Sequence, residues 1–185
     1  MAGADPLTGL GSVLGNVGNV LGCIELFMNS LQPPDVEIAK WDRWFGVELN
    51  NQAWTLAEKS SRSAVEAEDM LHLAHAAALH WRRVGTEVHR VRADLLLGQV
   101  YALLGQGAQA MVYARRCYDF VSARPCPEWE VAFAHAVLAH AAQVVGDSEL
   151  YERHYALAKA LGEAIAAEED REIFQRSFRQ VPATD

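Results

Sequence analysis

The chain has 185 residues, of which 51% are hydrophobic and 22% charged, enough for one domain with a full-sized core and too apolar for wholesale disorder. A formal net charge of -8 disfavours nonspecific binding to nucleic acid, so no nucleic-acid partner is expected. Alanine dominates the apolar set and β-branched runs are scarce, which favours helix over strand.

Between residues 7 and 31, Leu10, Leu14, Val17, Leu21, Ile24, Met28 and Leu31 recur every three or four positions, the helical period. Glycines 9, 11, 15, 18 and 22 each cost about 1 kcal/mol relative to Ala, so such a helix must gain its order from packing. Gly11/Gly15 and Gly18/Gly22 would allow a very close helix approach. The expected role is a cap docked on the rest of the chain, with self-association into a homodimer as the alternative. Asn16, Asn19 and Glu25 interrupt the stretch too often for a membrane span. Its polar face lacks the Lys and Arg of a membrane-surface helix, and no basic residue precedes it as in a secretory signal. A cytoplasmic protein is the expectation.

Pro33-Pro34 breaks the helix, dividing a Gly-rich N-terminal segment, 1–34, from a domain over 35–185. Asp35 is the expected N-cap of a second helix carrying Ile38, Trp41, Trp44, Phe45, Leu49, Trp54 and Leu56, with a bend at Gly46. Its three tryptophans are expected to be core anchors. Ser63-x-x-Glu66 is a capping box that opens a third helix, and Gly85 stops it after Val84. Thr86 is the expected cap of a fourth helix ending at Gly105, and a fifth runs from about Ala108 to Ala123. The sixth spans about Pro127 to Gly146, and Asp147 or Ser148 caps the seventh. A short last helix covers about 168–179.

Leu97/Gly98/Gly105 recurs 41 residues later as Leu138/Ala139/Gly146, and a fainter copy precedes it at Ala57. Three helical hairpins follow, at about 35–84, 86–123 and 127–165. Leu97-Gly98, Tyr101, Gly105 and Ala110 resemble the middle of the tetratricopeptide pattern, in which small residues let two helices close on each other. Asp94, Ala114 and Ser122 stand where that pattern has Trp, an aromatic and Pro. From Glu48 to Glu169 the chain is also similar to an uncharacterised bacterial family of helical-repeat proteins. The resemblance implies an all-α, right-handed stack of antiparallel hairpins, a tetratricopeptide-like α-solenoid capped by a helix at each end. Of chemistry it implies nothing.

Two constellations bear on chemistry. Glu68, His72 and His75, spaced i, i+4 and i+7 with Asp69 beside them, share one helix face and offer the carboxylate and imidazoles of a metal site. No second helix supplies a matching Glu-x-x-His, so a small metal protein or enzyme is the alternative function rather than the first. Arg82, Arg83, His89, Arg90, Arg92, Arg115 and Arg116 form a basic cluster in an acidic chain. Its guanidiniums suit carboxylate or phosphate, and Glu66, Glu87, Asp94 and Asp119 are the expected internal partners. Cys23, Cys117 and Cys126 are odd in number and lack a C-x-x-C spacing, so free thiols are expected. Phosphate-loop, dinucleotide, nucleophile-elbow and calcium-loop motifs are all missing.

The tetratricopeptide resemblance places the first helix of each hairpin along a concave groove. Arg92, Gln99, His140 and Gln143 are the expected ligand-binding residues there, beside Phe133. The expected function is protein–protein interaction, with a peptide or helix, acidic to suit Arg92, held in that groove without a cofactor. A homo-oligomer assembled through residues 7–31 is the remaining alternative.

Overall fold

The computed structural model describes residues 35–183. The expected N-terminal helix and any dimer built on it lie outside the described residues. Two units are distinguished, Met1–Ile38 and Ala39–Asp185. Among the described residues there are seven helices: α1 (Asp35–Ala57), α2 (Ala64–Val84), α3 (Glu87–Leu103), α4 (Gly107–Ser122), α5 (Glu128–Val145), α6 (Ser148–Ala164) and α7 (Glu168–Phe178). The fold is all-α and helical-repeat-like, each helix from α2 onward packing on the next while α3 also packs on α5 and α5 on α7.

Local chemistry sets the helix ends. The Ser63 N–H donates to Glu66 Oε2 at 2.8 Å while Ser63 Oγ accepts from the Glu66 N–H at 3.2 Å, a complete capping box at the start of α2. Asp147 caps α6 by accepting from the Leu150 N–H at 3.1 Å. At α3 the box uses an unusual acceptor, since the Thr86 N–H donates to His89 Nδ1 at 3.2 Å. The His89 ring also stacks on Trp81, with centroids 4.5 Å apart. His89 therefore terminates a helix instead of adding to a basic surface.

The repeat shows most clearly in the turns. Gly105 (φ 70°) and Gly146 (φ 79°) both take the left-handed conformation that lets a helix end and reverse. The next residue of each turn makes the same backbone bond, Gln106 N–H to Tyr101 O and Asp147 N–H to Ala142 O, both 2.9 Å. The first hairpin turns by other means. Arg62 Nη1 donates to the carbonyls of Leu56 and Ala57 at 3.0 Å and of Lys59 at 2.7 Å, so a side chain binds the carbonyls where α1 ends and the turn begins.

Helix α5 is central, buried from Glu130 through Ala142 on almost every side. Its alanines keep it slim enough for neighbours to pack all round it. Close approach also explains Gly98, where a Cβ would come to 2.8 Å from Val137 Cγ1 and 3.3 Å from the Ala114 nitrogen. The residue facing Gly98 is thus Ala114, one turn beyond the Ala110 that the repeat pattern suggests. Helix α1 is continuous through Gly46, against which the Trp81 ring lies. Beside it Asp42, 5% exposed, accepts from His80 Nδ1 at 2.5 Å and from Arg83 at 3.3 Å. The His80 bond holds the Asp42 carboxyl below its usual range. Trp41 and Trp44, expected as core anchors, are 55% and 52% exposed. Trp54 alone of the three joins the core, against Phe133 at 5.8 Å.

Candidate functional site

A groove of about 390 Å³ opens where α1, α3, α5 and α7 meet. Trp54 of α1, Leu95 of α3, Trp129 and Phe133 of α5 and Ile173 of α7 make its apolar wall. Helical spacing aims these side chains together: Trp129 and Phe133 stand at i and i+4 on α5, as do Ile173 and Ser177 on α7. Helices α1, α3 and α5 each line this groove, and α7 completes it.

The last helix is fixed by its own contacts. Phe174, 1% exposed, meets Phe133 edge to face at 5.2 Å and fills the space that Gly162 leaves open on α6. Its far end reaches the end of α1, where Ser177 Oγ donates to Glu58 Oε1 at 3.5 Å and Gln180 Nε2 to the Glu58 carbonyl at 3.2 Å. Arg176 stands 3.7 Å from the Glu58 carboxylate. Far from merely capping the third hairpin, α7 ties it to the first.

The groove's charges are largely matched among themselves. Arg92 Nε donates to Glu130 Oε1 at 2.6 Å, Arg92 Nη2 contacts the same oxygen, and the guanidinium lies over the Trp129 ring, 5.0 Å from its centroid. Glu130 is itself 8% exposed. Arg92 is thus the half-exposed partner of a buried carboxylate, an arrangement that rigidifies the rim and leaves little charge for an acidic ligand.

Of the other residues expected along the groove, Gln143 is exposed near the end of α5, outside this lining. Gln99 and His140 are buried at 3% and 4% exposure, with His140 Nδ1 3.5 Å from Gln99 Oε1. They occupy equivalent places in successive repeats and join α3 to α5 from within. Burial, with a smaller contribution from Arg62, pushes the His140 imidazole down to about 4.

The structure does not gather Glu68, His72 and His75. His72 lines a cleft with Asp69, Gln52 and Thr55. The His75 Nε2 is engaged by the Tyr101 hydroxyl at 2.6 Å, and burial with the nearby His72 lowers its pKa. No three His, Cys, Asp or Glu side chains are arranged to hold a metal ion among the described residues. Cys117 is buried and donates to the Val91 carbonyl at 3.4 Å, its thiol pushed up by burial and so kept protonated. Among the described residues no helix is long and apolar enough to cross a membrane.

Trp129 and Ile173 were not legible as groove residues. Trp129 at i and Phe133 at i+4 is a visible signal, but which face of α7 meets that stripe depends on Phe174 finding Gly162. A pair on α5 and α6 escaped the pattern too: His154 Nδ1 lies 3.0 Å from His135 Nδ1, with Tyr118 edge-on to both rings. Burial pushes His154 down to about 4 and lowers His135. Compared with known proteins, the chain matches no family model, no curated protein and no solved structure.

Proposed function

We propose that the protein is a binding module, a tetratricopeptide-like stack of hairpins that takes a peptide or helix of another protein into the groove between α1, α3, α5 and α7. The observation that supports this best is the apolar wall of Trp54, Leu95, Trp129, Phe133 and Ile173 around about 390 Å³ of open space. That volume lies in the range of ligand sites and accommodates a few anchoring side chains. Helix-in-groove recognition uses such anchors at i, i+3, i+4 and i+7. Because Arg92 is already paired with Glu130 and Arg176 faces Glu58, the ligand is read as apolar-faced in place of the acidic one.

A displayed peptide library selected on the full chain supplies the probe. In the complex with a selected peptide, the indole N–H resonances of Trp54 and Trp129 should shift, while that of Trp81, packed at Gly46 and His89, should not. Shifts confined to Trp41 and Trp44 would place binding elsewhere and defeat the groove reading.

A further inference from the structure

Part of the basic cluster is absorbed by none of the contacts above. Arg82 of α2, Arg90 and Asp94 of α3 and Arg116 of α4 line a cavity of about 330 Å³, with Leu79 and Tyr113 in its wall. The sequence brings them there by helical spacing, since Arg90 and Asp94 stand at i and i+4 on α3, and Tyr113 and Arg116 at i and i+3 on α4.

The pairing within this cavity is loose. Arg116 Nη1 comes only to 3.7 Å from Asp94 Oδ2. Arg82 acts on Asp94 through its charge, and among the described residues it has neither an ion pair nor a hydrogen bond. Arg90 spends one nitrogen on the Gly85 carbonyl at 3.2 Å and keeps its remaining donors. Asp94, with its side chain 24% exposed, is the one carboxylate among three guanidiniums. Two positive charges are left over at a single concavity, in a chain whose net charge is -8.

The cavity is also braced. The Arg116 guanidinium lies 5.2 Å from the Tyr113 ring centroid, Tyr113 stacks on Tyr101 at 5.6 Å, and the Tyr101 hydroxyl bonds His75 Nε2. An arginine laid on an aromatic stack loses less freedom when it binds an anion than one waving in solvent. Solvated surface arginines are the ordinary alternative, but those do not converge on one cavity around a partly buried acid.

We infer that this cavity binds a small phosphomonoester. Its dianion matches the two surplus charges, and the planar guanidinium forks suit phosphate oxygens. The space exceeds what a bare phosphate needs, and Leu79 and Tyr113 offer an apolar wall to the organic part of an ester. This site is separate from the groove, so its failure would leave the peptide reading untouched.

Phenyl phosphate is the probe, titrated calorimetrically into the full chain at fixed ionic strength, with benzoate and inorganic phosphate as comparisons. One saturable site is expected for phenyl phosphate, at least ten-fold tighter than for either comparison. Arg82→Gln and Arg116→Gln, both at exposed positions, should each weaken it at least ten-fold with unchanged helicity. Asp94→Asn, which removes the competing carboxylate, should tighten it. Absence of saturable binding, equal affinity for benzoate or inorganic phosphate, indifference to the arginine changes, or weakening by Asp94→Asn would each overturn the proposal.

Discussion

The groove and the α2–α3–α4 cavity are both lined by arginine, yet they treat its charge in opposite ways. In the groove Arg92 clamps the buried Glu130 and Arg176 faces Glu58, so the open surface that remains is mostly apolar, with Asn50, Asn51 and Asp170 at its edge. In the cavity three guanidiniums share one distant carboxylate, so the open surface is cationic. The difference does not reside in the arginines. It depends on which helices meet: α5 brings Glu130 against Arg92, whereas α2 and α4 each bring a further arginine to Asp94. Opposite faces of a single turn of α3, carrying Arg90 and Arg92, therefore serve opposite chemistries.

The contrast breaks most severely if the groove loses its last helix. Phe174→Ala removes the side chain seated between Phe133 and Gly162 and should cost about 3–5 kcal/mol, seen as a large drop in melting temperature. Acid should act next, through the buried histidine that joins α3 to α5. His140 sits at about 4 in the fold against about 6.5 in the unfolded chain, so the unfolded state takes up the proton first. Its stabilisation is complete above about pH 6.5 and is lost as pH falls toward 4, by about 1.4 kcal/mol per pH unit. His140→Asn should flatten the fall of the melting temperature between pH 6.5 and 5. His75→Asn, at the exposed edge of the cavity, should flatten it less.

The arginines themselves sharpen the comparison. Arg92→Ala strands Glu130, 8% exposed, and should cost about 1–3 kcal/mol, toward the lower figure because Arg92 is half exposed. Arg82→Ala strands nothing and should change stability by less than about 0.5 kcal/mol in the same denaturant titration. Equal costs for the two would erase the distinction between a matched and an unmatched cluster.

What the sequence made legible follows the range of the interactions. Helix ends were readable because caps are local: Ser63 and Glu66, Gly85, Gly146 and Asp147 act within one turn of themselves. The all-α class and the recurrence of the turn at Gly105 and Gly146 were readable for the same reason. Register was not. Gly98 faces Ala114 because Val137 of α5 crosses there as well, and no motif within one hairpin records a third helix. Gln99 and His140 look like surface polar residues in an Ala-rich pattern, but each buries its side chain beside the other's. His72 and His75 share a helix face on paper, yet the neighbours of α2 divide that face between two clefts. Trp41 and Trp44 show the reverse error, since large aromatic side chains need not find a core.

Under the proposed function, the apolar groove and not the cationic cavity holds the protein partner. The most direct test is the affinity of a library-selected peptide for three forms of the chain: the native protein, Ile173→Glu and Arg116→Gln. Ile173 is 38% exposed on the groove wall, so a carboxylate there opposes an apolar ligand without disturbing the core. Binding at least ten-fold weaker to Ile173→Glu and unchanged to Arg116→Gln is expected. Unchanged affinity for Ile173→Glu, with the loss transferred to Arg116→Gln, would contradict the proposed function.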